Sequence, residues 1–171
     1  MTNWDYAVNR TLMTEGGYCN VPGDPGGETK YGITKRDYPN EDIANLTLAH
    51  AHAIYRRDYW DRLGLDDVTN RYAAAEVFDT AVNCGVGKAA QIAQRACRYL
   101  GEHITVDGVM GPATRGALNR LAQRNTFALV MALNMMQGIW YATIEEKNPQ
   151  AFEQFSAGWM QRLRVPAELI S

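Results

Sequence analysis

The sequence has little net charge and no block of like charges. Its 17 Lys and Arg residues oppose 19 Asp and Glu residues, which gives a net charge of -2. The short basic pair Arg56-Arg57 lies beside Asp58 and Asp61 and is therefore predicted to be a solvated helix face. Domains that bind nucleic acid carry a basic surface that neutralises phosphates. We therefore expect no nucleic-acid partner.

Cysteine and histidine are also scarce, with three of each. Cys19, Cys84 and Cys97 are odd in number and lack metal-ligand spacing, so we expect reduced thiols, with a Cys84 to Cys97 pairing after export left open. His50 and His52 are two residues apart, whereas paired metal ligands on a helix usually sit four apart. We predict neither a metal nor a cofactor.

No secretory signal is visible at the amino terminus, because residues 1–10 contain Asp5 and Arg10 and no apolar core. Residues 126–144 lack formal charge, which raises the question of a membrane span. Asn134 and Gln137 interrupt this stretch and favour a central helix buried by its neighbours. We therefore expect no stable membrane insertion, and a monomer as the default state.

Helical spacing of apolar residues predicts a mainly α protein. A chain of 171 residues with 46% apolar residues suits one compact domain or two closely packed lobes. Thr47 is a plausible cap and Gly64 a stop for the second helix. The predicted helices span 4–14, 47–63, 71–84, 88–100, 126–144 and 151–162, and a further helix begins at Pro112.

Glu15 ends the first predicted helix, which should stop at Gly16 or Gly17. The helix dipole is negative at this end and disfavours an anion, and the ring of Tyr18 adds shielding. Both effects raise the pKa of a carboxyl group, the property that a general acid needs. The alternative is an exposed residue of the last helical turn.

Asp24 follows nine residues later, in a run of Pro and Gly residues that must turn tightly. Thr29, Tyr31 and Thr34 then alternate with other residues, which predicts the strand of a short hairpin. Such a unit can bring a carboxylate and a hydroxyl towards Glu15. Cleavage of a glycosidic bond requires at least a proton donor and a second carboxylate that faces it.

This block resembles the signature of the glycoside hydrolase family 108 N-acetylmuramidases, found in phage endolysins and in bacterial muramidases that help release toxins. The similar segments are 15–18, 24–34 and the helix 53–60, and the match covers most of residues 5–91. The spacing of Glu15 and Asp24 equals that of phage-type lysozymes, whereas Thr29 falls one residue early. The resemblance implies a lysozyme-like two-lobed fold with a small β-hairpin near the active site.

The reaction implied by the resemblance is hydrolysis of the β-1,4 bond between N-acetylmuramic acid and N-acetylglucosamine in bacterial peptidoglycan. Glu15 would protonate the leaving oxygen, Asp24 would stabilise the oxocarbenium-like transition state or orient water, and Thr29 would help hold that water. With a water between them, the two carboxyl groups should lie about 6.5 to 9.5 Å apart and the anomeric configuration should invert. The alternatives are a lytic transglycosylase that gives 1,6-anhydro products, a chitinase or chitosanase, and a non-catalytic wall-binding protein.

Four further residues are candidates for substrate binding. Tyr18 and Tyr31 belong to the signature block. Asp79 and Asn83 lie four apart and share one helix face, so they either hydrogen-bond sugar groups in a cleft or form the polar face of a surface helix.

Asp107 belongs to the block 106–114, which is similar to the Asp-Gly-x-x-Gly-x-x-Thr element of peptidoglycan-binding domains. Its alternative role is a turn and helix start that packs the second lobe without touching ligand. We predict a catalytic region at 1–92 and a peptidoglycan-binding-like helical region at 93–171, packed as the second wall of one cleft. The family further implies synthesis in the bacterial cytoplasm and action on the wall in the periplasm after holin-type or other non-classical release.

Overall fold

The computed structural model describes residues 1–12 and 27–170, with the backbone alone for 151–156. Over these residues the architecture is mainly α with one small antiparallel hairpin, which confirms the predicted fold class. The elements in chain order are α1 Asn3–Leu12, β1 Thr29–Lys30, β2 Ile33–Thr34, α2 Leu48–Tyr55, a π-helical turn Arg56–Trp60, α3 Asp61–Leu63, a 3-10 turn Leu65–Asp67, α4 Arg71–Cys84, α5 Val86–Tyr99, α6 Pro112–Lys147, α7 Pro149–Arg162 and a 3-10 turn Ala167–Leu169.

Local signals in the sequence set several of these boundaries. The Thr47 hydroxyl accepts a hydrogen bond from the backbone N–H of His50 at 3.2 Å and caps α2. Gly64 closes α3 with a φ of 59°, as predicted. The Asn70 side chain caps α4 by accepting from the N–H groups of Tyr72 and Ala73, both at 3.1 Å. The predicted single helix over 47–63 was wrong in one respect, since the π-helical turn interrupts it.

A break at Asn125 divides α6 into two parts. Asn125 has an extended backbone with φ -165° and ψ 99°, and its side chain accepts the N–H of Ala128 at 2.9 Å. It therefore acts as the cap of the second part. Thr126 binds the second part to the start of α4, because Asn70 Nδ2 donates to its hydroxyl at 3.0 Å.

The second part of α6 was predicted to be buried by its neighbours, and that prediction was wrong for one face. Leu133 and Tyr141 are buried, but apolar residues at four-residue spacing leave a stripe exposed to solvent. The exposed fractions in this stripe are 43% at Phe127, 45% at Met131, 37% at Met135 and 55% at Ile139. By length and composition alone α6 passes as a membrane-span candidate, with 39% of its most apolar window buried.

One hydrophobic core runs through both halves of the sequence, with α4 packed against α1, α5 and α6. Three rings at its centre, those of Trp4, Trp60 and Phe78, meet edge to face with centroids 5.4 to 5.8 Å apart. Because Trp4 belongs to α1 and Phe78 to α4, these contacts hold α1 on the central helix.

Candidate active site

Three of the predicted site residues, Glu15, Tyr18 and Asp24, lie outside the described residues, so their roles stay predictions. The structure does describe both elements that border this segment. The described part of α1 reaches Leu12 before it, and the hairpin starts at Thr29 after it. The candidate site is therefore built from this frame and from the side chains of α4.

A two-residue turn closes the hairpin. Tyr31 and Gly32 both have positive φ values, 54° and 75°, as a type I′ turn requires. Tyr31 is the non-glycine residue that adopts this conformation within 1–12 and 27–170, and the Tyr55 hydroxyl donates to its carbonyl oxygen at 2.8 Å. Tyr31 thus forms the turn and does not belong to a strand, which corrects the predicted alternation. Ile33 anchors the hairpin, with 1% of its surface exposed.

Thr29 begins the hairpin and pairs with Thr34 across it. It is half-buried, and its hydroxyl donates to the carbonyl oxygen of Gly27 at 3.4 Å. The oxygen of a hydroxyl that donates in this way can still accept a hydrogen bond from water. The placement is compatible with the predicted role without testing it.

A polar stripe runs along α4, formed by Glu76, Asp79, Thr80 and Asn83 at helical spacing. Asp79 Oδ1 accepts from the hydroxyl of Thr11 at 3.3 Å and from Arg162 Nη1 at 2.8 Å. Its side chain is only 14% exposed. Asp79 therefore joins the last turn of α1, four residues before Glu15 in sequence, to α7.

Asn83 continues this network towards α6. Its Oδ1 accepts from the hydroxyl of Tyr141 at 3.1 Å, and that hydroxyl accepts from Gln137 Nε2 at 2.7 Å. Tyr141 stacks on Trp159 with ring centroids 5.0 Å apart. Asp79 and Asn83 share a face as predicted, but this face meets other helices and is not the outside of a surface helix. Their role in substrate binding stays a prediction.

Sequence reasoning missed Glu76, which is 2% exposed and lies 2.6 Å from Arg10 of α1. Burial raises the pKa of Glu76 to about 7, and the charge of Arg10 opposes this rise. The sequence does place Glu76 three residues before Asp79 on the same helical face, but this spacing does not predict the contact with Arg10.

The Asp107 loop is held from inside by Gln94, which is 1% exposed. Gln94 Nε2 donates to Asp107 Oδ1 at 2.7 Å, and Gln94 Oε1 accepts the N–H groups of Asp107 and Gly108, both at 3.0 Å. Asp107 Oδ1 also accepts the N–H of Val109 at 2.8 Å, and this bond lowers the pKa of the carboxyl. Through these contacts Asp107 stabilises the conformation of its loop. After this loop Pro112 starts α6, as predicted. Substrate binding by Asp107 stays a prediction.

A groove of about 420 Å³ lies between the loop after the hairpin and the start of α5, with Gly85 and Val86 on one side. Tyr38 and Asp58 line it, and the Tyr38 hydroxyl donates to Asp58 Oδ2 at 3.1 Å. A hydrogen bond from Arg57 lowers the pKa of the Asp58 carboxyl. Asp58 is therefore an anion at neutral pH and is unsuited to act as a general acid. Sequence reasoning did not select either residue.

Cys84 and Cys97 are free thiols, and burial raises their pKa values to about 11 and about 12. They lie near opposite ends of α5, which separates them by about 18 Å, too far for a disulfide.

Across 1–12 and 27–170, no three His, Cys, Asp or Glu side chains gather into a set that could hold a metal ion.

Comparisons with known proteins agree with this arrangement of elements. Residues 8–85 match the family model described as Glycosyl hydrolase 108, and residues 88–164 match the model described as Predicted Peptidoglycan domain. The solved structure of SagA from Brucella abortus is similar over 94% of this chain and 88% of that chain, with 26% sequence identity and a TM-score of 0.72. The comparison with curated proteins gave no match.

Proposed function

Since residues 8–85 match the glycosyl hydrolase 108 model and the chain is a peptidoglycan hydrolase, we propose that it is an N-acetylmuramidase. The bond cleaved is the β-1,4 bond between N-acetylmuramic acid and N-acetylglucosamine. The single observation that carries this proposal is the block with Glu15, Asp24 and Thr29, which lies inside the matched range and is bordered by α1 and the hairpin.

The elements on both sides of this block are held by contacts with the core, which supports the proposal. α1 is held by the contact of Trp4 with Phe78 and by the bond from Thr11 to Asp79. The hairpin is held by buried Ile33 and by the bond from Tyr55 to the turn. Catalytic groups need supporting elements of this kind, since small displacements lower the rate strongly.

In the proposed mechanism Glu15 is the general acid that protonates the leaving oxygen. Asp24 stabilises the oxocarbenium-like transition state or orients the attacking water, and Thr29 helps hold that water. Inversion of the anomeric configuration is expected if the carboxyl groups stand about 6.5 to 9.5 Å apart. Residues 93–171 then form the second wall of the cleft, and the enzyme works as a monomer on the wall after release from the cytoplasm.

The test is the variant Glu15→Gln, assayed on purified sacculi. Loss of the general acid should lower the rate about 10²- to 10⁴-fold while leaving the unfolding transition unchanged. Glu145→Gln is the matched control, because Glu145 is exposed near the end of α6. Near-normal lysis by Glu15→Gln would remove this residue from the mechanism.

A further inference from the structure

A second groove lies far along the chain from the catalytic block, between α5 and the second part of α6. It has two neighbouring parts of about 340 and 430 Å³, and Arg95 and Met136 line both. Basic side chains mark its length, with Lys88 at one end, Arg95 in the middle and Arg98 at the other end. Neither the catalytic block nor the Asp107 carboxylate contributes to its lining as described.

The charge of this groove differs from that of the whole chain. Several arginines elsewhere pair with carboxylates, as Arg56 does with Asp61 and Arg120 with Glu102. Arg95 and Arg98 are exposed, and within the described part of the chain neither has an ion-pair or hydrogen-bond partner. No described acidic residue lines the groove. A site with unpaired cations and no anion is complementary to a ligand that carries carboxylates.

The floor of the groove is apolar. Ile139 is 55% exposed there, beside Met136 and the ring of Trp140. Lys88 Nζ lies 3.8 Å from the centroid of the Trp140 ring and donates to Gln91 Oε1 at 2.9 Å, so one cation is already fixed over the floor. The occupant should therefore combine apolar groups with several negative charges.

We propose that this groove binds the acidic stem peptide of peptidoglycan, an assignment that rests on the proposed function. Lys88 and Arg98 are ten residues apart on α5, a span of about 15 Å along the helix axis. An extended peptide of four residues spans about 13 to 14 Å. Stem peptides are of this length and carry free carboxylates, whereas the amino-sugar backbone offers no such charge. A concave groove also fits a peptide better than a flat bilayer surface.

The test measures binding in the Glu15→Gln background, where the substrate is retained without turnover. Arg95→Gln/Arg98→Gln is compared with Arg124→Gln, which removes an exposed arginine outside the groove. The three probes are intact sacculi, the same sacculi after enzymatic removal of the stem peptides, and vesicles of anionic phosphatidylglycerol. Thermal unfolding of each variant checks that the fold is kept.

The double variant should bind intact sacculi about three- to tenfold more weakly, as expected for exposed charge pairs, and the loss should shrink at high salt. Arg124→Gln should bind like the parent, and sacculi without stem peptides should not distinguish the variants. Unchanged binding of the double variant to intact sacculi overturns the proposal. An equal loss on stripped sacculi, or a loss confined to vesicles, overturns it as well.

These outcomes are separable from a failure of the proposed function. Reducing-end analysis of wild-type digests tests the muramidase reaction without reference to Arg95 or Arg98. A protein that binds stem peptides through this groove but releases no muramic acid ends refutes the proposed reaction and leaves the groove assignment intact.

Discussion

Two helices of this protein reverse the usual relation between polarity and burial. α4 turns Glu76 and Thr80 inward, with 2% and 3% of their surfaces exposed, whereas the second part of α6 leaves Met131 and Ile139 45% and 55% exposed. The buried polar groups of α4 meet partners on α1 and α6. The polar residues of α4 therefore hold helices together, whereas apolar residues of α6 are exposed to solvent.

The largest effect is expected for Asp79→Ala on α4. The substitution removes one acceptor of Thr11 and the ion pair of Asp79 with Arg162, which is 16% exposed. We expect a loss of about 2 to 4 kcal/mol in the free energy of unfolding, measured by urea titration. Asp61→Asn is the control, since its ion pair with Arg56 is exposed and should contribute at most about 1 kcal/mol. Equal losses in the two variants would contradict a structural role for the α4 stripe.

Glu76 should make the stability of the protein depend on pH. Its folded pKa of about 7 lies above the ordinary 4.5, so from pH 4.5 to 7 the unfolded chain releases this proton before the folded protein does. The contribution of Glu76 is therefore fully present below pH 4.5 and is lost as the pH rises to 7.

The matched variant for this effect is Glu76→Gln, which cannot titrate. The stability of wild type relative to Glu76→Gln should fall by about 3 kcal/mol between pH 4.5 and 7.5. Urea unfolding of both proteins at several pH values measures the difference. Parallel stability curves would mean that the Glu76 carboxyl keeps its ordinary pKa in the folded protein.

Asp107 has two candidate roles, to hold its loop and to bind substrate, and a smaller effect on stability and binding distinguishes them. An asparagine can still accept from Val109 and Gln94, so Asp107→Asn should leave the unfolding temperature nearly unchanged, whereas Asp107→Ala removes both bonds and should lower it measurably. If the task of the carboxylate is to hold the loop, Asp107→Asn should also bind sacculi normally. Weaker binding by this variant at unchanged stability would instead establish the predicted contact with substrate.

The smallest effect is expected on the exposed stripe of α6. Met131→Gln should change the free energy of unfolding by less than about 0.5 kcal/mol, because the residue is 45% exposed. Leu133→Gln is the comparison, since Leu133 is 3% exposed on the opposite face and should lose several kcal/mol. A large loss for Met131→Gln, together with a change in mass by light scattering, would show that a second copy covers the stripe and that the protein is not a monomer.

The contrast also shows what the sequence predicts and what it does not. Thr47, Gly64 and Pro112 set helix boundaries through contacts with residues close in sequence, so these boundaries can be predicted from the sequence. The burial of Glu76 depends on Arg10, which is 66 positions away, and no local pattern records that pair. The break at Asn125 was missed for another reason, since its extended backbone interrupts an otherwise uniform helical pattern.

In the candidate site, too, local signals can be predicted from the sequence and contacts between distant residues cannot. Glu15, Asp24 and Thr29 could be selected from spacing and resemblance, because a catalytic block is contiguous in this chain. Gln94 could not, since it lies among the apolar residues of α5 and its partners lie 13 to 20 positions later. Tyr38 and Asp58 meet only because the loop after the hairpin folds onto the π-helical turn.

The most direct test of the account is mass analysis of the borohydride-reduced products from digested sacculi. The expected result is a set of fragments that end in reduced N-acetylmuramic acid, produced by the wild type and absent from Glu15→Gln. Fragments that end in 1,6-anhydro-muramic acid or in reduced N-acetylglucosamine would contradict it, as would release of no fragments at all.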